Sequence, residues 1–208
     1  TNSVRAGEEL NVEALSRYLE SQSKLLAGDI TIEQFPAGSS NLTYLVRLGS
    51  DEFVLRRPPF GNTVKSAHDM RREFEVLSKL SAVYRPAPKP ILFCDDDSII
   101  GSEFYLMERR RGLIIRGRSP ESLSSSKLRT DVCQSFIRNL TDLHALDYNA
   151  AGLAELGRPE GYCRRQVEGW CKRYFAAKTD EWPELEAAIA WLNSNIPTES
   201  GASLIHND

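Results

Sequence analysis

Three residues at the end of the chain have types and spacing suited to handling a hydroxyl proton: His206, Asn207 and Asp208, directly after the apolar run Ser203-Leu204-Ile205. An aspartate held at the end of a short buried strand can accept a hydrogen bond from an alcohol, orient it for attack and take its proton late in transfer. A solvated tail is the other reading of the same residues. Upstream, Ala37-Gly38-Ser39-Ser40-Asn41 joins two strand-like segments with small, hydroxyl-bearing residues. Backbone N–H groups in such a loop can approach a phosphate closely. A plain hairpin turn is the alternative. Arg56 and Arg57 lie on a strand-like stretch, where alternation puts them on opposite faces, so only one of them serves a given anion.

The elements that must position these residues are legible as periodicities. Val12, Leu15, Tyr18 and Leu19 share one face after Asn11, which predicts a capped amphipathic helix over 11–27 closed by Gly28. Ile30 to Phe35 has strand composition. Leu42, Tyr44, Val46 and Leu48 alternate before Gly49-Ser50-Asp51 turns the chain into a strand over 52–57. Ser66-x-x-Asp69 opens a helix whose apolar face is Met70, Phe74, Leu77 and Leu80, ending before Pro86-Ala87-Pro88-Lys89-Pro90. Strands over 91–94 and 104–108 flank the acidic turn Asp95-Asp96-Asp97.

From Gly112 the pattern changes. Residues 113–127 are rich in Ser, Arg and Gly, and only helical periods follow: Leu128, Val132, Phe136, Leu140 and Leu143; Val167, Trp170 and Tyr174; Leu185, Ile189 and Leu192. The expected fold is α+β: a small, mostly antiparallel sheet carrying one helix in an N-terminal lobe over 1–111, then part of a helical lobe over 112–208, with a ligand cleft at the hinge.

Composition excludes several classes. The 208 residues are 41% hydrophobic, and 26 basic side chains are interspersed with 29 acidic ones for a net charge of −3, so no chain-wide field favours nucleic acid or anionic lipid. Thr1 to Glu9 is polar, and no apolar run approaches the roughly 18 residues of a spanning helix. No membrane partner and a cytoplasmic location are expected. Cys94, Cys133, Cys163 and Cys171 lack any C-x-x-C spacing, which points to four buried, reduced thiols rather than zinc or disulfides.

The strings Gly38-Ser39-Ser40-Asn41-Leu42-Thr43, Val54-Leu55-Arg56-Arg57-Pro58-Pro59, Ser66-Ala67-His68-Asp69-Met70-Arg71-Arg72-Glu73 and Gly157-Arg158-Pro159-Glu160-Gly161-Tyr162 carry a resemblance. With them, the chain resembles the aminoglycoside phosphotransferase and choline kinase family over nearly its whole length. In wording it is most similar to the phosphotransferase-like domain associated with acyl-CoA dehydrogenases. The resemblance implies a two-lobed protein-kinase-like fold and an ATP- and Mg²⁺-dependent enzyme that phosphorylates a hydroxyl group. The implied acceptor is a hydroxyacyl-CoA or an aminoglycoside-like compound. A second copy of the chain or an acyl-CoA dehydrogenase is the implied protein partner.

Site roles follow from the same resemblance. Asp208 is the implied catalytic base and His206 its brace. Gly38, Ser39, Ser40 and Asn41 would cover the phosphates. Arg56 stands where kinases carry the strand lysine that holds phosphates, as choline kinases are similar in doing with arginine, and Glu73 would be its ion-pair partner. Glu75 lies two residues on, about 200° around the helix, and is expected to face solvent. Main-chain groups near Glu108 and Arg109 would meet the nucleotide base, with Met107 packed beside it. His144, after an apolar stripe, is a structural residue, and His68 a surface one. Arg109 to Arg118, with five arginines and no acid, would suit an anionic acceptor or form a solvated linker.

Kinase chemistry also requires an Asn and a further acid beyond the base as metal ligands, which a chain ending at Asp208 does not contain. The polypeptide as given is therefore expected to be an inactive piece of a longer kinase with its helical lobe truncated and apolar contacts exposed. The rival is a non-catalytic, pseudokinase-like nucleotide-binding module, supported by arginine at 56. A eukaryotic-type protein kinase is disfavoured, since G-x-G-x-x-G, His-Arg-Asp and Asp-Phe-Gly are absent.

Overall fold

The structure is a computed structural model and describes residues 1–36, 41–61, 69–115, 120–198 and 201–206. Gly38, Ser39, Ser40, Ser66, His68, Arg116, Arg118, Asn207 and Asp208 lie outside the described residues. The chain divides into two compact units, Thr1–Asp131 and Val132–Asp208.

The first unit is built on a five-stranded antiparallel sheet of β1 (Ile30–Gln34), β2 (Leu42–Leu48), β3 (Asp51–Arg57), β4 (Pro90–Cys94) and β5 (Phe104–Glu108), in the order β1-β2-β3-β5-β4. Leu48 pairs with Asp51, so β2 and β3 are joined by a two-residue loop, and Gly49 takes the positive φ of +57° that such a tight loop requires. Helix α1 (Val12–Gln22) starts as its cap predicts, with the Asn11 side chain accepting from Ala14 N–H. It stops at Gln22, and a short 3₁₀ turn over Lys24–Leu26 replaces the final turn expected before Gly28. The leucines of α1 enter the main core: Leu15 and Leu19 are fully buried with Tyr44, Val46, Leu55, Phe104 and Leu106.

Helix α2 (Met70–Val83) is capped by Asp69, whose side chain accepts from Arg72 N–H. It packs on β4 and β5, where Phe74 meets Phe93 and Tyr105 at ring-centroid distances of 5.8 and 6.3 Å. The acidic run is not a simple turn. Asp96 caps a short helix, α3 (Asp97–Ile100), and Gly101 closes it in the left-handed conformation, so the third aspartate begins a helical turn.

Glu52 of β3 gathers three arginines from two segments, β2 and the stretch after β5. Arg47 Nε lies 3.1 Å from its Oε1, and Arg109 Nη1 and Arg111 Nη2 lie 2.5 and 2.6 Å from its Oε2. Partial burial alone would raise its pKa, but the hydrogen bonds from Arg47, Arg109 and Arg111 outweigh that and hold the carboxyl below its ordinary value. Arg47 also pairs with Glu33 on β1, which ties the sheet edge to the same cluster.

The second unit is helical, with the end of α4 (Ser126–His144), then α5 (Tyr162–Ala177) and α6 (Pro183–Ser194), the last two packed together. Phe136, Trp170, Trp182 and Trp191 are each more than half exposed, whereas Leu143 and Leu153 are buried. Two expectations need correction here. Cys133 is exposed on α4, which buries only Leu143 and so offers that thiol no core; Cys94 is buried, and Cys163 and Cys171 are half-buried. Residues 201–206 carry no regular structure, and Ile205 is 51% exposed, so Ser203-Leu204-Ile205 is not a buried strand. A strand needs a ladder partner and cover on one face, and the described residues supply neither. No helix among the described residues is long and apolar enough to cross a membrane.

Two outcomes follow for stability. Leu19→Ala removes a fully buried side chain and is expected to cost about 2–5 kcal/mol in urea unfolding, where Val12→Ala, on an exposed position, costs less than about 1 kcal/mol. Because Glu52 has a lowered folded pKa, its stabilisation is present above the ordinary carboxylate range and is lost as pH falls through the folded value. The urea midpoint of Glu52→Gln should trail the wild type at neutral pH and converge on it in acid; a gap constant with pH would reduce Glu52 to a packing role.

Candidate functional site

β3 ends in two arginines that leave the sheet on opposite sides. Arg57 is 1% exposed; its Nη1 donates to Ile100 O at 2.7 Å, its Nε donates to Pro58 O at 3.0 Å, and its guanidinium lies 3.6 Å from the ring centre of Phe60. Burial pulls its pKa below the ordinary arginine value, with Tyr44 and Glu8 acting against the shift. This side chain is committed to joining the end of β3 to the end of α3.

Arg56 points the other way, towards α2. Its Nε lies 3.5 Å from Glu73 Oε2, and the two side chains are 32% and 33% exposed. Glu73 sits in the first turn of α2, where Asp69 fixes the helix start; Glu75 is exposed on another face. The Glu73 carboxylate has two closer partners. Asn41 Nδ2, at the entry to β2, donates to Oε1 at 2.8 Å, and Tyr105 Oη, on β5, donates to Oε2 at 2.9 Å. Burial raises the Tyr105 phenol well above its ordinary pKa, opposed by the Arg56 charge, so the hydroxyl stays a donor.

Magnitudes rank these contacts. A hydrogen bond to a charged acceptor contributes about 1.5–3 kcal/mol, whereas a partly exposed ion pair contributes about 0–1 kcal/mol. The direction of the carboxylate is therefore set by Asn41 and Tyr105 more than by Arg56. Arg56 Nε, although buried, makes no hydrogen bond among the described residues. A partly exposed guanidinium beside a fixed carboxylate fits an incoming anion such as a phosphate. No three His, Cys, Asp or Glu side chains gather to hold a metal ion among the described residues.

The remaining sequence-derived positions are spread more widely. Asn41 is 6% exposed, with its amide on Glu73 rather than open to a ligand. Met107 is half-buried and shares the α2-side face with Tyr105 by strand alternation. Glu108 N–H donates to Lys89 O at 2.9 Å, while the Glu108 carboxylate accepts from Lys89 N–H and pairs with Arg110 at 2.6 Å. A base contact at Glu108 cannot use that N–H. The Arg109 side chain is held by Glu52. His144 closes α4 half-buried, and His206 is exposed.

Tyr105 is the member of this cluster that the sequence analysis does not single out. The available signal was its place on a buried strand: a phenol there needs a partner for its hydroxyl. Register then puts it directly opposite Arg56.

Comparison with known proteins agrees with this architecture. The profile of the phosphotransferase enzyme family matches residues 31–208. Acyl-CoA dehydrogenase family member 11 of Rattus norvegicus is 35% identical over 100% of this chain and 27% of its own length. Acyl-CoA dehydrogenase family member 10 of Mus musculus is 35% identical over 100% of this chain and 20% of its own length. The chain thus spans about a quarter or less of the curated relatives it matches. A crystal structure from Ralstonia eutropha, described as a candidate aminoglycoside phosphotransferase, superposes with a TM-score of 0.75 at 30% identity, covering 92% of this chain and 55% of that one. An antiparallel five-stranded sheet followed by helices, matched by family profile over residues 31–208 and by a solved relative, makes this chain a member of the phosphotransferase enzyme family with its kinase-like fold.

Proposed function

We propose that this chain carries the nucleotide-binding part of an ATP- and Mg²⁺-dependent kinase that phosphorylates a hydroxyl group of a small molecule. The observation that supports it best is the Arg56–Glu73 pair at 3.5 Å, both side chains about one third exposed, in a chain of the phosphotransferase family. Mg-ATP, when bound, supplies the phosphoryl group and the cation that neutralises its charge.

The chain's own residues have separable tasks in this reading. Arg56 clamps the phosphates through its planar fork, and Glu73 directs it. Backbone N–H groups of Gly38, Ser39 and Ser40 cover the phosphates, with Asn41 anchoring the end of that loop on Glu73. Met107 packs against the base, and main-chain groups of Glu108 and Arg109 other than the engaged Glu108 N–H orient it. Asp208 accepts the acceptor's hydroxyl proton and His206 braces the loop. The nucleotide-binding lobe is 1–111 and the helical lobe begins at 112.

For the acceptor, the relatives' names direct attention to acyl-CoA chemistry, and a hydroxyacyl-CoA is the first candidate. The five arginines of 109–118, of which those at 109–111 are already paired with Glu52 and Glu108, would favour such an anionic compound over a cationic aminoglycoside. A fused or associated acyl-CoA dehydrogenase and a cytoplasmic setting complete the proposal.

Calorimetric titration of the full natural protein with ATP, with and without Mg²⁺, tests it. Binding that depends on Mg²⁺ and weakens at least about tenfold in Arg56→Ala is expected, since a charge-assisted phosphate contact is lost. ADP release in the presence of hydroxyacyl-CoAs or aminoglycosides would then identify the acceptor. Binding without ADP release for any alcohol would favour the non-catalytic module, for which arginine at 56 speaks; absence of binding would end the kinase reading.

A further inference from the structure

One rung of the sheet organises the site. Thr43 of β2, Arg56 of β3, Tyr105 of β5 and Phe93 of β4 are successive register partners, so their side chains emerge on the same face. Glu73 comes down from α2 onto that rung. Tyr105 is 1% exposed, and its ring is packed edge-on against Phe74, the residue next to Glu73. Its hydroxyl could have found a main-chain acceptor, as core tyrosines commonly do. It donates to the carboxylate instead, at 2.9 Å, while the Asn41 amide takes the other oxygen at 2.8 Å.

We infer that Tyr105 is a positioning residue whose hydroxyl, with the Asn41 amide, fixes the direction of the Glu73 carboxylate, so that Arg56 is steered towards a ligand phosphate without being tied up by its own counter-ion. In a carboxylate held only by the guanidinium, any swing of Arg56 onto a phosphate would release the glutamate as well. Here Glu73 keeps both neutral donors when Arg56 moves. The tether also couples the start of β2, through Asn41, to the helix that carries Glu73, so the arrival of a phosphate is felt at three strands and one helix through one carboxylate. The inference rests on reading this site as one for a nucleoside triphosphate.

Tyr105→Phe removes the hydroxyl and retains the ring, so the packing with Phe74 survives. In the full natural protein, the Kd for Mg-ATP should rise about tenfold while the Kd for adenosine, which lacks phosphates, stays unchanged. In an Arg56→Ala background the same substitution should cost nothing further, because Tyr105 acts through Arg56. Asn41→Ser, which shortens the second tether, should show the same phosphate-selective loss and replaces Tyr105→Phe if that variant proves unstable. Unchanged ATP affinity, an equal loss for adenosine, or losses that add in the double variant would each overturn the inference while leaving the nucleotide reading in place. If the wild type binds neither ATP nor adenosine, that reading falls and the inference falls with it.

Discussion

Arg56 and Tyr105 face one another across β3 and β5, and both reach the carboxylate that α2 lowers between them. That convergence constrains the rest of the first unit. The pairing of β3 with β5 on the side away from β2 brings residues about fifty positions apart to one rung, and α2 must begin within a turn of Glu73 for its carboxylate to arrive there. Asp69 sets that start by capping Arg72 N–H. A shift of one residue in the β3 register would send Arg56 into the core side and bring Arg57 out, so the buried apolar set of β2 and β3 also decides which arginine faces Glu73.

The two arginines illustrate how much a local pattern carries. Alternation separates them without saying which faces the core, because both are equally polar. The answer lies in long-range partners: Arg57 finds a carbonyl at Ile100 and the ring of Phe60, which satisfy donors and cover the guanidinium plane. Burying arginine with no carboxylate in ion-pair distance among the described residues is costly, and the lowered pKa, set by burial, expresses that cost. The fold accepts it at the place where β3 must be fastened to α3.

Most of the first unit was legible in its periodicities. The apolar set of β2, Leu15 and Leu19 of α1, the loop at Gly49, the cap Asn11 and the boundaries of β5 all appear where hydrophobic spacing and side-chain chemistry put them, whereas Val12 is exposed and α2 starts at Met70 with Asp69 itself as its cap. Glu73 and Glu75 separate onto different faces as helical geometry requires. What periodicity could not express was pairing. The Tyr105 tether, the Glu52 arginine cluster and the engagement of Glu108 N–H by Lys89 depend on residues distant in sequence, and no local signal distinguishes a core tyrosine from one that holds a carboxylate. The second unit shows the same limit from the other side. Its helices form on their own periods and on local contacts such as Lys178 with Glu181, but a stripe containing Phe136 or Trp170 states only which face is apolar, not what covers it.

Arginine at position 56, which departs from the lysine of most kinase-like strands, is intelligible from this geometry. An ammonium is a point charge that can be shared between a carboxylate and a phosphate in any direction. A guanidinium offers donors in a fixed plane, so a face-on, two-pronged pair with glutamate would leave it badly aimed at anything else. At 3.5 Å from Nε to the carboxylate the pair is a loose one, and a loose pair suffices because Asn41 and Tyr105 already hold the carboxylate. The neutral tethers and the arginine are thus one solution: the stronger the hold on Glu73 from uncharged donors, the less the cation is needed to order its own partner, and the more of its planar fork can be directed outward.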